Sequence, residues 1–180
     1  MSKKFLLPKK ISNSQLLNFY KKDKFKIFLN NGKAKDLGIN DMKVKSPYKP
    51  QLKDLYSLYQ LVFFNKRTTI LEFGSGWSTL LFSIAMSDLK DKYFHQVKKL
   101  RRNNPFEIFS LENEKKFLNI SKKRINKYFG NKRRININLK FTNVSMTMYN
   151  GCITTEYDKL PFCNPDFIYV DGPGQFNVKK

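Results

Sequence analysis

The sequence predicts an α/β fold, in which an open parallel sheet is flanked by helices. From residue 51 onward, short apolar runs alternate with longer segments of helical periodicity, and such alternation builds a parallel sheet. The clearest unit is residues 68–79, TTILEFGSGWST, where a buried strand, a glycine turn and the start of a helix follow one another. Acidic residues also stand at the ends of three predicted strands. Together these features predict a crevice for a nucleotide-sized ligand at the carboxyl edge of the sheet.

The composition supports one folded domain with a large positive charge. The chain has 180 residues, 41% of them hydrophobic, and a formal net charge of +21. Clustered Lys and Arg attract nucleic acids and anionic surfaces, but here the basic residues are spread along the chain, as on a solvated surface. We divide the sequence into a lysine-rich extension, residues 1–50, and an α/β domain, residues 51–180. The extension is either a cap over the crevice or a basic segment without a site.

Cysteine, histidine and apolar-run counts exclude several classes of protein. Two Cys and one His cannot supply a Cys/His metal site, so no metal is expected. The N-terminus has no apolar block long enough for a secretory signal, and no apolar run approaches the ~20 residues of a membrane-spanning helix. We therefore expect a cytoplasmic protein with reduced cysteines and no membrane span.

Three features are predicted within the extension. Residues 12–14, Ser-Asn-Ser, are typical of a helix cap and predict a short helix through Tyr20. Residues 25–29 precede Asn-Asn-Gly, a pattern that predicts a strand and a turn. Residues 46–50 contain two prolines, which predict an extended linker.

Four strands and three helices are predicted in the domain. The strands are expected at residues 69–71, 106–111, 135–141 and 167–170, and the helices at 52–63, from 77 to about 86 with a polar continuation, and up to 129. Residues 146–160 are weakly patterned, with a strong turn signal at Asn150-Gly151.

Three carboxylates are expected to meet at the carboxyl edge of this sheet. Glu72 lies near the end of the first strand, Glu112 follows the second, and Asp171 follows the fourth. A carboxylate after the second strand can accept both hydroxyls of a ribose. As a surface acid at a strand end, Glu112 is expected to contribute little to fold stability. Gly74 and Gly76 let the backbone approach a ligand, and the surrounding acids favour a cationic ligand over a pyrophosphate.

These motifs resemble those of the class I S-adenosylmethionine-dependent methyltransferases. LEFGSG (71–76) is similar to the family's first motif, SLENE (110–114) to its ribose-binding acid, and DFIYVDGPG (166–174) to the motif after its fourth strand. The resemblance covers residues 51–180. It implies a Rossmann-like open parallel sheet with strand order 3-2-1-4, S-adenosylmethionine as cofactor, and methyl transfer to an acceptor that the sequence does not identify.

The resemblance also assigns roles to individual residues. Glu72, Gly74 and Gly76 would line the methionine part of the cofactor, and Ser75 and Trp77 complete the cofactor-binding turn. Glu112 would hold the ribose hydroxyls. Asp171 would face the methyl donor or acceptor and is the candidate catalytic residue, with Tyr169 either assisting deprotonation or packing within the sheet.

The family's sheet has seven strands, whereas residues 51–180 supply only four. We therefore expect this chain to be an incomplete part of the fold that needs downstream residues for activity. The fourth strand, residues 167–170, would lie at an open edge, where unpaired backbone groups invite self-association.

Two other functions remain open. A nicotinamide-dependent oxidoreductase would require a third glycine where Thr79 stands and an acid nearer to the turn than Glu112. A basic nucleic-acid or anion-binding module on an α/β scaffold is compatible with the charge, although no sequence signature of such a module is present.

Overall fold

The computed structural model describes residues 5–32 and 48–173. The part of the predicted linker at residues 46–47, and Gly174 of the predicted last motif, lie outside the described residues. Tyr48–Pro50, the rest of the predicted linker, form neither helix nor strand. Two short 3-10 turns, Asp23–Phe25 and Gly130–Lys132, accompany the main elements. The helices are α1 (Asn13–Tyr20), α2 (Lys26–Asn31), α3 (Leu52–Phe64), α4 (Trp77–Lys98) and α5 (Lys115–Phe129), and the strands are β1 (Thr69–Phe73), β2 (Glu107–Glu112), β3 (Asn136–Phe141), β4 (Val144–Tyr149), β5 (Cys152–Tyr157) and β6 (Phe167–Val170).

The main sheet has four parallel strands in the order β3-β2-β1-β6. This confirms the α/β class and the parallel sheet. The order differs from the predicted 3-2-1-4 only in that the sheet's fourth strand is the sixth strand of the chain. The two additional strands, β4 and β5, form a separate antiparallel hairpin. β6 lies at the edge beside β1, with Leu71 paired to Ile168 and Phe73 to Val170.

The two faces of the sheet are covered by different elements. One face, which we call the helix face, carries Ile70 and Ile108, both fully buried in a large cluster that includes side chains from all five helices. The opposite face, which we call the hairpin face, carries Leu71, Phe109 and Leu111. These three residues form a small cluster to which Tyr157 of β5 and Cys163 add partly buried side chains.

The N-terminal segment corrects one prediction and confirms another. Ser12 caps α1 through a capping box with Gln15, as the Ser-Asn-Ser motif predicts. Residues 25–29, predicted as a strand, instead enter α2 after a 3-10 turn. The apolar run fits the periodicity of a strand or of a helix, and tertiary packing decides between them. The 3-10 turn and α2 bury Phe25 and Phe28 against Tyr20, with 6.1 and 6.0 Å between ring centroids.

The hairpin was only half predicted. Asn150 and Gly151 have φ of +49° and +78°, which confirms the turn at this position. The flanking strands β4 and β5 were not predicted, because most of their side chains are exposed and show no clean alternation of apolar and polar residues. The long helix α4 runs to Lys98 and includes the polar continuation after residue 86.

Within residues 5–32 and 48–173, no helix combines the length and apolar character needed to cross a membrane.

Candidate functional site

The glycine turn after β1 lies directly against the loop after β6. Gly74 has φ of +92°, a conformation that side chains with a Cβ rarely adopt. A Cβ at Gly74 would lie 3.0 Å from the carbonyl carbon and oxygen of Asp171, and one at Gly172 would lie 3.0 Å from the Cα of Gly74. The Asp171 amide also donates to the Phe73 carbonyl at 2.8 Å. The fold therefore brings the first and last predicted motifs together, and only glycine fits their contact.

Glu72 lies beneath this turn on the helix face. Its side chain has no exposed surface. It accepts hydrogen bonds from Ser78 at 2.6 Å, Thr79 at 2.7 Å and Ser110 at 2.7 Å. Burial raises the pKa of Glu72 to about 7; the three hydroxyls oppose that rise and the charge of Asp171 adds to it.

These contacts make Glu72 a positioning residue for the turn. Through these hydrogen bonds the carboxylate connects β1 to the first turn of α4 and to β2. Thr79 Oγ1 also accepts a hydrogen bond from the Gly76 amide at 2.9 Å. The Ser-Thr pair at the start of α4 was the sequence signal for this arrangement, but Ser110 carried none. Direct contact between Glu72 and a methionine group stays a prediction.

Glu112 reaches across from β2 to the same turn. One oxygen accepts both the amide and the hydroxyl of Ser75, each at 2.8 Å, and the other accepts the Glu114 amide at 3.0 Å. Glu112 is only 5% exposed. The prediction of a surface acid was therefore wrong, because the backbone amides of Ser75 and Glu114 donate to the buried carboxylate. The small effect of Glu112 on fold stability stays a prediction.

Asp171 is exposed at the carboxyl edge and lies among acidic and phenolic groups. Partial desolvation raises the pKa of Asp171, a hydrogen bond from Tyr169 acts in the opposite direction, and the charge of Asp54 on α3 raises it further. Tyr169 also packs against Phe82, with 5.5 Å between ring centroids, so it serves the core as well as the edge. Asp171 and Asp54 thus bring two negative charges to this part of the edge.

Trp77 is turned toward neighbouring elements. Its indole N–H donates to the Tyr48 carbonyl at 3.1 Å, and its ring centroid lies 5.8 Å from that of Phe28. The Arg124 guanidinium of α5 stacks on the indole at 3.7 Å, and burial lowers the pKa of Arg124 to about 10. Trp77 thus joins the N-terminal segment, α4 and α5, and its predicted role in cofactor binding stays a prediction.

Tyr157 is a residue of this edge that sequence reasoning missed. Its ring packs on Phe73 at 4.9 Å, and its hydroxyl lies 3.2 Å from the position of a Cβ on Gly172. Burial, followed by the charge of Glu112, raises the pKa of Tyr157 to about 12. Among the described residues this buried hydroxyl has no hydrogen-bond partner. The weak pattern of residues 146–160 gave no signal for it.

The carboxyl edge is closed by contacts among its own groups. The amide and the hydroxyl of Ser75 donate hydrogen bonds to the Glu112 carboxylate, and the backbones of Gly74 and Gly172 are in contact. Two surface clefts, of about 760 and 370 Å³, lie elsewhere, one where α4 meets the end of α5 and the other between α5 and β3. In the part of the chain that the structure describes, no three His, Cys, Asp or Glu side chains cluster as metal ligands.

No protein-family model matches the chain, and neither the curated proteins nor the solved structures give a significant match.

Proposed function

We propose that this chain binds S-adenosylmethionine at the carboxyl edge of its sheet, for methyl transfer to an acceptor. The observation that carries the proposal is the contact between Glu112 and Ser75. A carboxylate at the end of the second parallel strand receives two donors, an N–H and an O–H, across a glycine turn. A ribose diol offers two donors to a carboxylate in the same way, so the cofactor would take the place of the Ser75 hydroxyl.

The charges of the edge support a cationic ligand. Asp54 lies close enough for its charge to raise the pKa of Asp171, and the charge of Asp171 in turn raises that of Glu72. Such mutual repulsion is relieved by a cation. S-adenosylmethionine carries a sulfonium and an ammonium group, whereas a dinucleotide would bring a pyrophosphate.

In this proposal the protein contributes mainly orientation. The acceptor atom attacks the sulfonium methyl group in line, and the carbon–sulfur bond breaks with the electron pair remaining on sulfur. The site would align the two partners and exclude water. In this proposal Asp171 takes the proton from the acceptor, and its raised pKa supports that role because it makes Asp171 a better base than an ordinary aspartate.

The same proposal interprets the sheet as the 3-2-1-4 part of a Rossmann-like methyltransferase sheet. The order β3-β2-β1-β6 and the glycine turn after β1 support that interpretation.

Calorimetry with S-adenosylmethionine, S-adenosylhomocysteine and NAD tests the proposal. We expect the two sulfur ligands to bind. Glu112→Gln should weaken that binding by about 1.5–3 kcal/mol, since a charge-assisted hydrogen bond is lost. The control is Glu156→Gln, the same chemical change at an exposed acid of β5, which should leave affinity unchanged. Binding of NAD and of neither sulfur ligand would overturn the assignment.

A further inference from the structure

One stretch of the chain is strongly basic and lacks acids altogether. Residues 115–155 contain seven Lys and three Arg but no Asp or Glu. Its basic residues all fall within residues 115–140, on α5, on β3 and in the segment that joins them, and β3 forms the edge of the sheet. Charge that is dispersed over the whole sequence is thus locally concentrated by the tertiary structure.

Four of these residues border the α5–β3 surface, and we call them the basic strip: Lys115, Lys122, Arg133 and Lys140. Lys115 and Lys122 are seven residues apart on α5, which puts them on one side of the helix about 10 Å apart. Lys122, Arg133 and Lys140 line a cleft of about 370 Å³ between α5 and β3. At the carboxyl end of β3, the Lys115 ammonium lies 5.3 Å from the centre of the Phe141 ring.

Within the described residues, the cations of the strip are not used in ion pairs, and Lys115 instead lies over the Phe141 ring. All four are exposed. Within the described ranges none of them has an acid within 4.0 Å, whereas the neighbouring Arg134 pairs with Asp91 at 3.5 Å. One acid, Glu107, does contact the cleft lining, but it accepts hydrogen bonds from Asn138 at 2.7 Å and Asn104 at 2.8 Å. The strip therefore keeps its positive charge available to a ligand.

From this geometry we propose that the α5–β3 surface binds single-stranded nucleic acid. Several cations outside ion pairs on one surface fit the phosphates of a nucleic acid. The cleft that they border also has apolar walls, Ile137 and Leu139, and the Asn126 amide, which suit sugars and bases.

Phe141 favours a single strand as the ligand. Its ring is 40% exposed at the end of the strip, where an unpaired base can stack on it. A membrane surface fits poorly, because α5 buries Leu118 and Ile125 against the sheet and has no apolar face left to insert. This binding goes beyond the proposed cofactor site and requires no cofactor.

Fluorescence anisotropy with a labelled single-stranded oligonucleotide of mixed sequence, without S-adenosylmethionine, tests the inference. The combined variant Lys122→Ala, Arg133→Ala, Lys140→Ala should bind at least about tenfold more weakly. Its slope of log affinity against log salt should fall by about 2, since each phosphate contact on a single strand contributes about 0.7.

The matched control removes the same charge elsewhere. Lys10→Ala, Lys21→Ala and Lys53→Ala alter three exposed lysines of the N-terminal segment and α3, and affinity should stay within about threefold of the parent, because only long-range attraction is lost. Equal losses in the two triple variants would overturn the proposal. So would tighter binding of a poly-glutamate peptide, or of anionic vesicles, than of the oligonucleotide.

A second variant tests the stacking. Phe141→Ala should weaken oligonucleotide binding about tenfold, since one base–aromatic stack is lost, and leave the salt slope unchanged. Unchanged affinity in this variant would contradict recognition of a single strand. Thermal unfolding of each variant establishes that the exposed substitutions leave the fold intact.

Discussion

The helix face and the hairpin face of the sheet differ in how much they bury and in what they bury. On the helix face, side chains of all five helices join Ile70 and Ile108 in one large cluster, which also encloses the Glu72 carboxylate and its three hydroxyl donors. On the hairpin face, the buried apolar cluster holds three sheet residues, Leu71, Phe109 and Leu111, while Ile168 and Val170 of β6 are 58% and 66% exposed.

Parallel sheets are normally covered on both faces. Because its apolar cluster is much larger, we expect the helix face to contribute most of the free energy of unfolding. The hairpin face leaves apolar side chains of β6 exposed for contacts with other molecules. Two acids of the candidate site belong to the better-packed helix face. Glu72 follows Ile70 by two residues on β1, and Glu112 follows Ile108 by four residues on β2, so both lie on the helix face.

The largest expected effect is on stability and tests whether the helix face is the dominant core. Phe82 on α4 is fully buried, with ring centroids 5.8 Å from Phe167 and 5.5 Å from Tyr169. Phe82→Ala should lower the free energy of unfolding by about 3–5 kcal/mol through lost burial and a cavity. Phe162→Ala, at a side chain 99% exposed, should change it by less than about 0.5 kcal/mol. Chemical denaturation measures both, and similar losses would break the contrast.

The second effect concerns the carboxylate buried in the helix face. The folded state raises the pKa of Glu72 from 4.5 to about 7, so between these values it binds a proton more tightly than the unfolded chain does. Glu72 should therefore lower stability as the pH rises from 4.5 to 7, by up to about 3 kcal/mol, with no further change above 7.

Urea unfolding of the parent and of Glu72→Gln across this pH range measures the contribution, because the difference between them removes the titration of other groups. The stability of the parent should fall relative to that of the variant as the pH rises. A constant difference from pH 4.5 to 7 would show that Glu72 is ionised throughout.

Substitutions at the β6 edge are expected to change stability least. Their main effect should be on self-association. Ile168 and Val170 are exposed, and among the described strands none pairs with the outer side of β6. We therefore predict concentration-dependent self-association in sedimentation, stronger at high salt because salt screens the +21 charge. Ile168→Lys should reduce association at a cost in stability below about 1 kcal/mol. The matched change Ile153→Lys, at a hairpin residue 73% exposed, should leave association unchanged. A monomer at all concentrations and salts would refute this prediction.

Several parts of the fold can be predicted from local patterns of residues alone. Apolar runs at residues 69–71, 106–111 and 167–170 became β1, β2 and β6, and the turn after β1 needs glycine at residue 74 because its backbone has a positive φ. These features are encoded in neighbouring residues. The meeting of the three acidic strand ends follows from them, since the carboxyl ends of parallel strands share one edge.

The hydrogen-bond partners at that edge depend on contacts between residues far apart in the sequence. Glu112 binds Ser75 across 37 positions, and Glu72 binds Ser110 across 38. Spacing along the chain does not reveal such partners, so the sequence did not show that Glu112 and Glu72 accept hydrogen bonds within the fold. The same holds for residues 25–29, whose apolar run fits a strand or a helix until Phe25 and Phe28 find aromatic neighbours. Long-range packing and hydrogen bonding, which local periodicity does not encode, settled these features.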